Sequence, residues 1–286
     1  MTTNIVTVGN QSFYMDGYLK TNLDIAREQI RKDWDMLFVY DGAEGSGKSV
    51  KAMQDAFYCD PTLTLDRITF TPDEFRKQIL KAEKYQAVIY DEAYTGLSAR
   101  AAMTTVNRGL VSMLAEIRQK NLFVFVVMPT FFDLDKYVAL WRSRALIHVY
   151  TGKNFQRGFF AFYNTDKKTP LYVNGKKTYS YSYPRPNFVG RFTGYIPINE
   201  KDYREKKRNS LTGKAKEEER ALQKRIGEQM LLERVLSVDD DTIPHKMKMS
   251  LLGMTSATYY RKLKQFRDAS DEFDELEKGK RGGEIA

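Results

Sequence analysis

Gly42, Gly47, Lys48 and Ser49 fall at the spacing G-x-x-x-x-G-K-[ST], a glycine-rich loop that can cradle phosphate oxygens with backbone N–H groups. Gly42, Gly45 and Gly47 allow positive φ and close backbone approach, Lys48 can reach β- and γ-phosphates, and the Ser49 hydroxyl can supply one ligand of an octahedral Mg²⁺. The loop residues Gly42, Ala43, Glu44, Gly45, Ser46, Gly47, Lys48 and Ser49 are the expected nucleotide-binding set, with the Glu44 carboxylate turned outward so that it does not repel phosphate. A second acidic feature ends the apolar run Ala87-Val88-Ile89-Tyr90: Asp91 is placed to share the Mg²⁺ shell with Ser49, and Glu92 to polarise a water as general base.

These groups work only if flanking elements position them. Met36 to Tyr40 reads as a buried strand delivering the chain to Gly42, and a helix is expected from Lys48, its N-terminus facing the phosphates. An amphipathic helix is expected from Leu23 to Lys32, a strand over Leu65 to Phe70, a helix opening at Thr71-Pro72-Asp73-Glu74 and running to Lys84, and helix over Ser98 to Gln119. Leu122 to Met128 has the unbroken apolar character of a central parallel strand, with Thr130 after it as a candidate phosphate sensor. A short helix from Leu134 to Trp141 and a strand from Ala145 to Tyr150 follow. This alternation of strand and helix predicts an α/β core with a mainly parallel sheet.

The phosphate loop, VIYDEA, the helix end Glu116-Ile117-Arg118-Gln119-Lys120, the LFVFVVMP strand, Phe132-Asp133-Leu134-Asp135 and Ala145-Leu146-Ile147-His148-Val149 together resemble the FtsK/HerA group of P-loop motors over roughly residues 35 to 152. The chain departs from that group in lacking a glutamine near the end of the LFVFVVM strand, which leaves open the related filamentous-phage assembly ATPases of the zonula occludens toxin type. The resemblance implies a RecA-like core, ATP hydrolysis, and a hexameric ring in which a neighbour's arginine completes the site. Arg100, Arg108, Arg118, Arg142 and Arg144 are the candidates, with Arg118 at the position similar to the group's basic residue.

Beyond Thr151 the texture becomes aromatic and Gly-punctuated, and Asn174-Gly175 between Leu171-Tyr172-Val173 and Lys177 to Tyr183 predicts a β-hairpin extension. A charged helix or linker follows over 199–236. MKMSLLGMTSATYYRKLKQF then resembles a small C-terminal all-α helix-turn-helix unit, turning at Gly253-Met254-Thr255, with Thr258, Tyr259, Arg261, Lys262 and Lys264 as candidate DNA-binding residues. The expected organisation is an N-terminal lead and helix (1–33), a core (34–152), a β-rich extension (153–198), the charged segment (199–236), the helix-turn-helix-like unit (237–268) and a disordered tail (269–286).

A net charge of +9 over 286 residues favours an anionic partner. The single cysteine, Cys59, excludes a disulfide framework and a zinc cluster, and the absence of a charged and apolar leader or a long apolar run predicts a soluble, cytoplasmic protein. The leading expectation is an ATP-driven translocase or packaging motor for double-stranded DNA, from a virus or mobile element by its compact size. The alternatives are an assembly or secretion ATPase with a viral or membrane-associated partner, and a nucleotide-switched DNA-binding regulator.

Overall fold

The structure, a computed structural model, describes residues 4–93, 97, 105–238 and 242–268. The chain divides into two compact units, Met1–Ser210 and Leu211–Ala286.

In the first unit a hairpin, β1 (Ile5–Val8) and β2 (Gln11–Tyr14), leads into α1 (Gly17–Gln29). This helix starts well before the expected Leu23 because the Asp16 carboxylate caps it, accepting from the N–H groups of Tyr18 at 3.0 Å and Leu19 at 3.2 Å. The main sheet contains β3 (Met36–Asp41), β4 (Ile68–Thr69), β5 (Ala87–Tyr90), β6 (Phe123–Val127), β7 (Ala145–Tyr150), β8 (Phe159–Asn164) and β9 (Phe188–Arg191). Its seven strands run in the order β4-β5-β6-β3-β7-β8-β9. The pairs from β4 to β7 are parallel and the last two antiparallel, so the sheet is mostly parallel, as the alternation of elements predicts.

Each face of the sheet is covered. On one face α1 and α2 (Lys48–Cys59) bury Leu19, Leu23, Ala52, Met53 and Ala56 against Phe38, Tyr40, Phe125 and Ile147. On the other, α3 (Pro72–Lys81) and α4 (Thr105–Glu116) bury Phe75, Ile79, Leu110 and Leu114 against Leu37, Val39, Val124 and Leu146. Pro72 and the Thr71 hydroxyl start α3 where expected, and Glu74 returns its carboxylate to the Phe70 N–H at 3.0 Å. The expected strand over Leu65 to Phe70 shrinks to Ile68–Thr69 because Arg67 turns inward in a 3₁₀ turn, pairing with Asp60 and bonding the Thr62 hydroxyl at 3.0 Å. The part of the expected helix over residues 98–104, Arg100 included, lies outside the described residues, as does the tail 269–286.

The hairpin predicted at Asn174-Gly175 does not form. Thr165 to Thr178 is helical: α5 (Thr165–Pro170), a π turn at Leu171–Gly175 and a last turn at Lys176–Thr178. Packing overrides the Asn-Gly turn signal: Leu171 and Tyr172 are buried, and the Tyr172 hydroxyl donates to the Leu134 carbonyl at 2.9 Å. Gly175 keeps helical angles (φ −68°, ψ −29°), and a Cβ there would come within 2.8 Å of the Phe132 ring. This glycine serves close approach rather than a turn. The antiparallel extension is made by β8 and β9 instead.

At the amino ends of β3 and β7 the Arg142 guanidinium is buried against Asp35, bonding both carboxylate oxygens, one of them at 3.2 Å. Arg142 is therefore withdrawn as an arginine offered to a neighbouring subunit. Arg144 lies beside it, its guanidinium 4.7 Å from the Trp34 ring centroid and 4.0 Å from Asp35.

In the second unit, the last turns of α6 (Glu200–Ser237) present Leu232 and Leu236 to Tyr259 and Leu263, with Met249, Leu252, Met254 and Phe266 around them. α7 (His245–Leu251) stops at Gly253, whose φ of +60° closes a Schellman turn in which the Met254 N–H reaches the Met249 carbonyl at 3.0 Å. α8 spans residues 256–268. Two helices joined by this turn therefore follow α6, and one of the expected DNA-facing residues needs correction. Tyr259 is fully buried, and its hydroxyl meets His245 Nδ1 at 2.8 Å, so its ring belongs to the core of this unit. Thr258 is half-buried and accepts from the Thr255 hydroxyl at 3.1 Å; Arg261 and Lys264 are exposed, and Lys262 is half-buried.

Asp35→Ala strands a buried guanidinium, and we expect a loss of about 3–5 kcal/mol, read as a lower urea midpoint at unchanged slope. Lys168 is buried with its ammonium on the carbonyls of Ala139 and Leu140, at 2.7 and 2.9 Å, and burial lowers its pKa from 10.5 to about 8. Between about pH 8 and 10.5 the folded chain gives up this proton while the unfolded chain keeps it, so this group's contribution to stability rises with pH across that window. Urea unfolding at pH 7 and 10 should show the wild type gaining on Lys168→Met.

Candidate functional site

Because β3, β5, β6 and β7 run parallel, their carboxyl ends share one edge of the sheet, and β3 is the strand flanked by β6 and β7. The loop leaving β3 has positive φ at Gly42 (+138°), Gly45 (+73°) and Gly47 (+101°). Gly42 is the tightest: a Cβ would stand 1.8 Å from the Val149 carbonyl oxygen. Only glycine fits there. Glu44 is exposed, whereas Ser46 is buried with its Oγ lacking a hydrogen-bond partner among the described residues. Such an orphaned polar atom inside a loop of backbone donors suits a polyanionic ligand.

Lys48 opens α2 and lays its ammonium on the carbonyls of Gly42 at 2.7 Å and Ala43 at 3.0 Å. Burial lowers its pKa, with the charges of Asp41, Asp91, Glu92 and Glu44 acting in the opposite direction. One residue on, the Ser49 hydroxyl donates to Asp91 Oδ1 at 3.0 Å. The other oxygen, Oδ2, accepts from the Tyr203 hydroxyl at 2.7 Å and from the Lys207 ammonium at 3.1 Å. Lys207 also lies 3.1 Å from Glu92 Oε1. Glu92 turns sharply out of β5 with φ +67°, a left-handed conformation costing a non-glycine residue about 1–2 kcal/mol.

The sequence-predicted Lys48, Ser49, Asp91 and Glu92 are thus brought to one edge of the sheet. The Arg118 backbone lies in the 3₁₀ turn Ile117–Lys120 after α4, and its side chain lies outside the described residues. Arg108 is exposed on α4. Thr130 caps the following turn, its hydroxyl accepting from the Phe132 N–H at 3.4 Å and meeting the Tyr181 hydroxyl at 3.1 Å. Thr258, Arg261, Lys262 and Lys264 belong to the second unit.

Three features escape sequence reasoning. Asp41, the last residue of β3, is fully buried and gathers the Phe131 N–H at 2.7 Å, the Tyr181 hydroxyl and His148 Nδ1 at 2.9 Å. It braces the strand end from which the phosphate loop springs. Burial and then the Asp41 charge raise the Tyr181 pKa, keeping its phenol a donor. Arg157, in the loop between β7 and β8, brings a guanidinium nitrogen within 3.6 Å of where a Gly45 Cβ would stand. Tyr203 and Lys207 come from α6, whose charged sequence carries no signal separating them from their neighbours. The Tyr203 pKa is raised by burial and then by the Asp91 charge; for Lys207 burial works against the cation, but Asp91 and Glu92 outweigh it and raise the pKa.

The donor set also fits Mg²⁺. Ser49 and Asp91 offer hard oxygen ligands, and among the described residues no group of three or more His, Cys, Asp or Glu could hold a metal by itself. Mg²⁺ takes few protein oxygens and completes its shell with phosphate oxygens and water.

No family model matches the sequence, and no curated protein sequence matches it. Among solved structures, the chain is similar to the N-terminal domain of zonular occludens toxin from Neisseria meningitidis, at 16% identity and a TM-score of 0.37, over 59% of this chain and 97% of that one. It is also similar to the genome packaging NTPase B204 of Sulfolobus turreted icosahedral virus 2 in complex with ATP-gammaS, at 16% identity and a TM-score of 0.33, over 46% of this chain and 93% of that one. A third likeness is to the HORMA:CdnC:Trip13 complex of E. coli MS115-1, at 16% identity and a TM-score of 0.34, over 47% of this chain and 61% of that one.

ATP with Mg²⁺ is expected to raise the Tm of the wild type, and Gly42→Ala should abolish that rise, because the loop must move away from Val149. Gly109→Ala, on α4 with nothing among the described residues within 4 Å of the added carbon, should retain that rise and add about 0.5–1 kcal/mol of stability. Differential scanning fluorimetry of both variants checks this pair.

Proposed function

We propose that this chain is a P-loop ATPase, an ATP-driven motor that moves or packages double-stranded DNA. The observation that carries the ATPase reading is the 3.0 Å bond from Ser49 to Asp91 Oδ1, across 42 residues of sequence, beside the Lys48 ammonium and the Glu92 carboxylate. Loop N–H groups and Lys48 would hold the β- and γ-phosphates, and Ser49 and Asp91 would hold Mg²⁺. When bound, that ion neutralises charge on the β- and γ-phosphate oxygens.

Glu92 would accept a proton from a water as its oxygen bonds to the γ-phosphorus; the bond to the β-phosphate oxygen breaks and ADP leaves. Charge developing on the transferred group calls for a further cation. Arg118 of a neighbouring subunit is the candidate from the FtsK/HerA resemblance, in which case the active form is a ring; Arg157 of the same chain, its guanidinium close to Gly45, is a second candidate.

Support for DNA as partner comes from the net charge of +9 and from Arg261 and Lys264 exposed on α8. Their side chains suit phosphate contacts, which confer affinity without sequence preference. Among the described residues, no helix is long and apolar enough to cross a membrane.

Glu92→Gln should retain nucleotide binding and lower turnover by at least about 100-fold, whereas Lys48→Ala should lose binding. Arg118→Ala should bind ATP and lose about 1,000-fold in turnover if that side chain acts across subunits; normal turnover removes it. Long double-stranded DNA should stimulate wild-type hydrolysis at low salt, and Arg261→Ala/Lys264→Ala should weaken DNA binding and flatten its salt dependence by about two charges. Absence of stimulation at every salt concentration overturns the DNA part while leaving the ATPase part standing.

A further inference from the structure

Asp91 can serve a metal only through an oxygen that faces Ser49, and its carboxylate is not left to rotate. Oδ1 accepts from Ser49 at 3.0 Å, while Oδ2 accepts from Tyr203 at 2.7 Å and Lys207 at 3.1 Å. Both donors of Oδ2 come from the first turns of α6, one helical turn apart on the same face. That segment is seated independently of Asp91. The Asn199 carboxamide caps it, accepting from the Lys201 N–H at 3.0 Å; the Tyr203 ring tilts against Phe70 at 5.8 Å; and Lys206 bonds the Leu65 and Ile68 carbonyls at 3.1 and 2.6 Å. Lys207 then extends to Glu92 at 3.1 Å, holding a carboxylate whose own backbone is in the left-handed region.

Resting on the ATPase reading above, we infer that Tyr203 and Lys207 are positioning residues of the hydrolytic site. They fix Asp91 Oδ2 so that Oδ1 stays turned toward Ser49 as a metal ligand, and Lys207 aligns the Glu92 carboxylate beside it. Both act through the Asp91 and Glu92 carboxylates. Outer partners that orient a metal-binding carboxylate change metal affinity by about 10- to 100-fold when removed. A second function follows for α6: its first turns are part of the ATPase site, so a segment that the sequence marks only as a charged linker carries the orientation of both acidic residues.

The test uses the full-length protein and Mn²⁺ as probe, its binding followed by electron paramagnetic resonance in saturating ADP, with steady-state ATP hydrolysis measured alongside. Tyr203→Phe and Lys207→Met should each weaken Mn²⁺ binding by about 10-fold or more and lower kcat at unchanged KM for ATP. Lys207→Arg, which keeps a cation in reach of both carboxylates, should recover most of both losses. Unchanged Mn²⁺ affinity in Tyr203→Phe and Lys207→Met overturns the inference. Should Lys207→Met fail to fold, Tyr203→Phe carries the same expectation, since it removes a single oxygen from a buried ring. The underlying reading fails differently: if the wild type binds Mn²⁺ no better than Ser49→Ala or Asp91→Ala, Mg²⁺-dependent chemistry at this loop is wrong and the inference falls with it.

Discussion

The parallel alignment of β3 with β6 and β7 is the constraint on which the rest depends. Phe38 pairs with Phe125 on one side and Ala145 on the other, so the three strands run to the same edge, with β7 continuing past the Asp41–His148 pair that ends β3. From there the phosphate loop leaves β3, the Thr130 turn follows β6, and the acidic pair ends β5, which itself pairs with β6. Asp41 converts the alignment into fixed geometry: a buried carboxylate satisfied by donors from three other segments. An unpaired carboxylate at that depth would carry a heavy desolvation penalty, so the strand end and the turn after β6 hold each other in place.

Chemistry is layered onto this frame by burial. Lys48 is held partly out of water among acidic groups: burial lowers its pKa, and the charges of Asp41, Asp91, Glu92 and Glu44 oppose that shift. Tyr181 and Tyr203 are held as hydroxyl donors by burial together with an adjacent carboxylate, one on Asp41 and one on Asp91. A tyrosine thus serves each of the two buried aspartates of the sheet edge.

Much of this was legible in the sequence wherever a residue's type and its local pattern agree. The apolar runs before Gly42 and Asp91 could bury only as strands, and the polar residues ending them had to emerge at a strand end; Ser49 and Asp91 meet for that reason. Asn174-Gly175 misled because a turn signal is local, while the burial of Leu171 and Tyr172 against Phe131 and Phe132 is not. Tyr259 misled similarly: on a helix rich in arginine and lysine its ring reads as surface, yet its partners, Leu232 and Leu236, lie far back in the chain. Tyr203 and Lys207 were illegible because Lys/Arg/Glu-rich helices present many equivalent donors, and only the docking of α6 selects which of them reach Asp91.

The margins of the sheet bear on how copies of the chain could associate. β4 contributes only Ile68 and Thr69, and the Lys206 ammonium occupies the outward Ile68 carbonyl; at the opposite margin β9 is four residues long and carries Gly190 packed under the Phe160 ring. A sheet finished in this way offers little template for strand addition. Copies of the chain meeting at either margin of this sheet would therefore do so without a shared hydrogen-bond ladder, leaving them able to pivot.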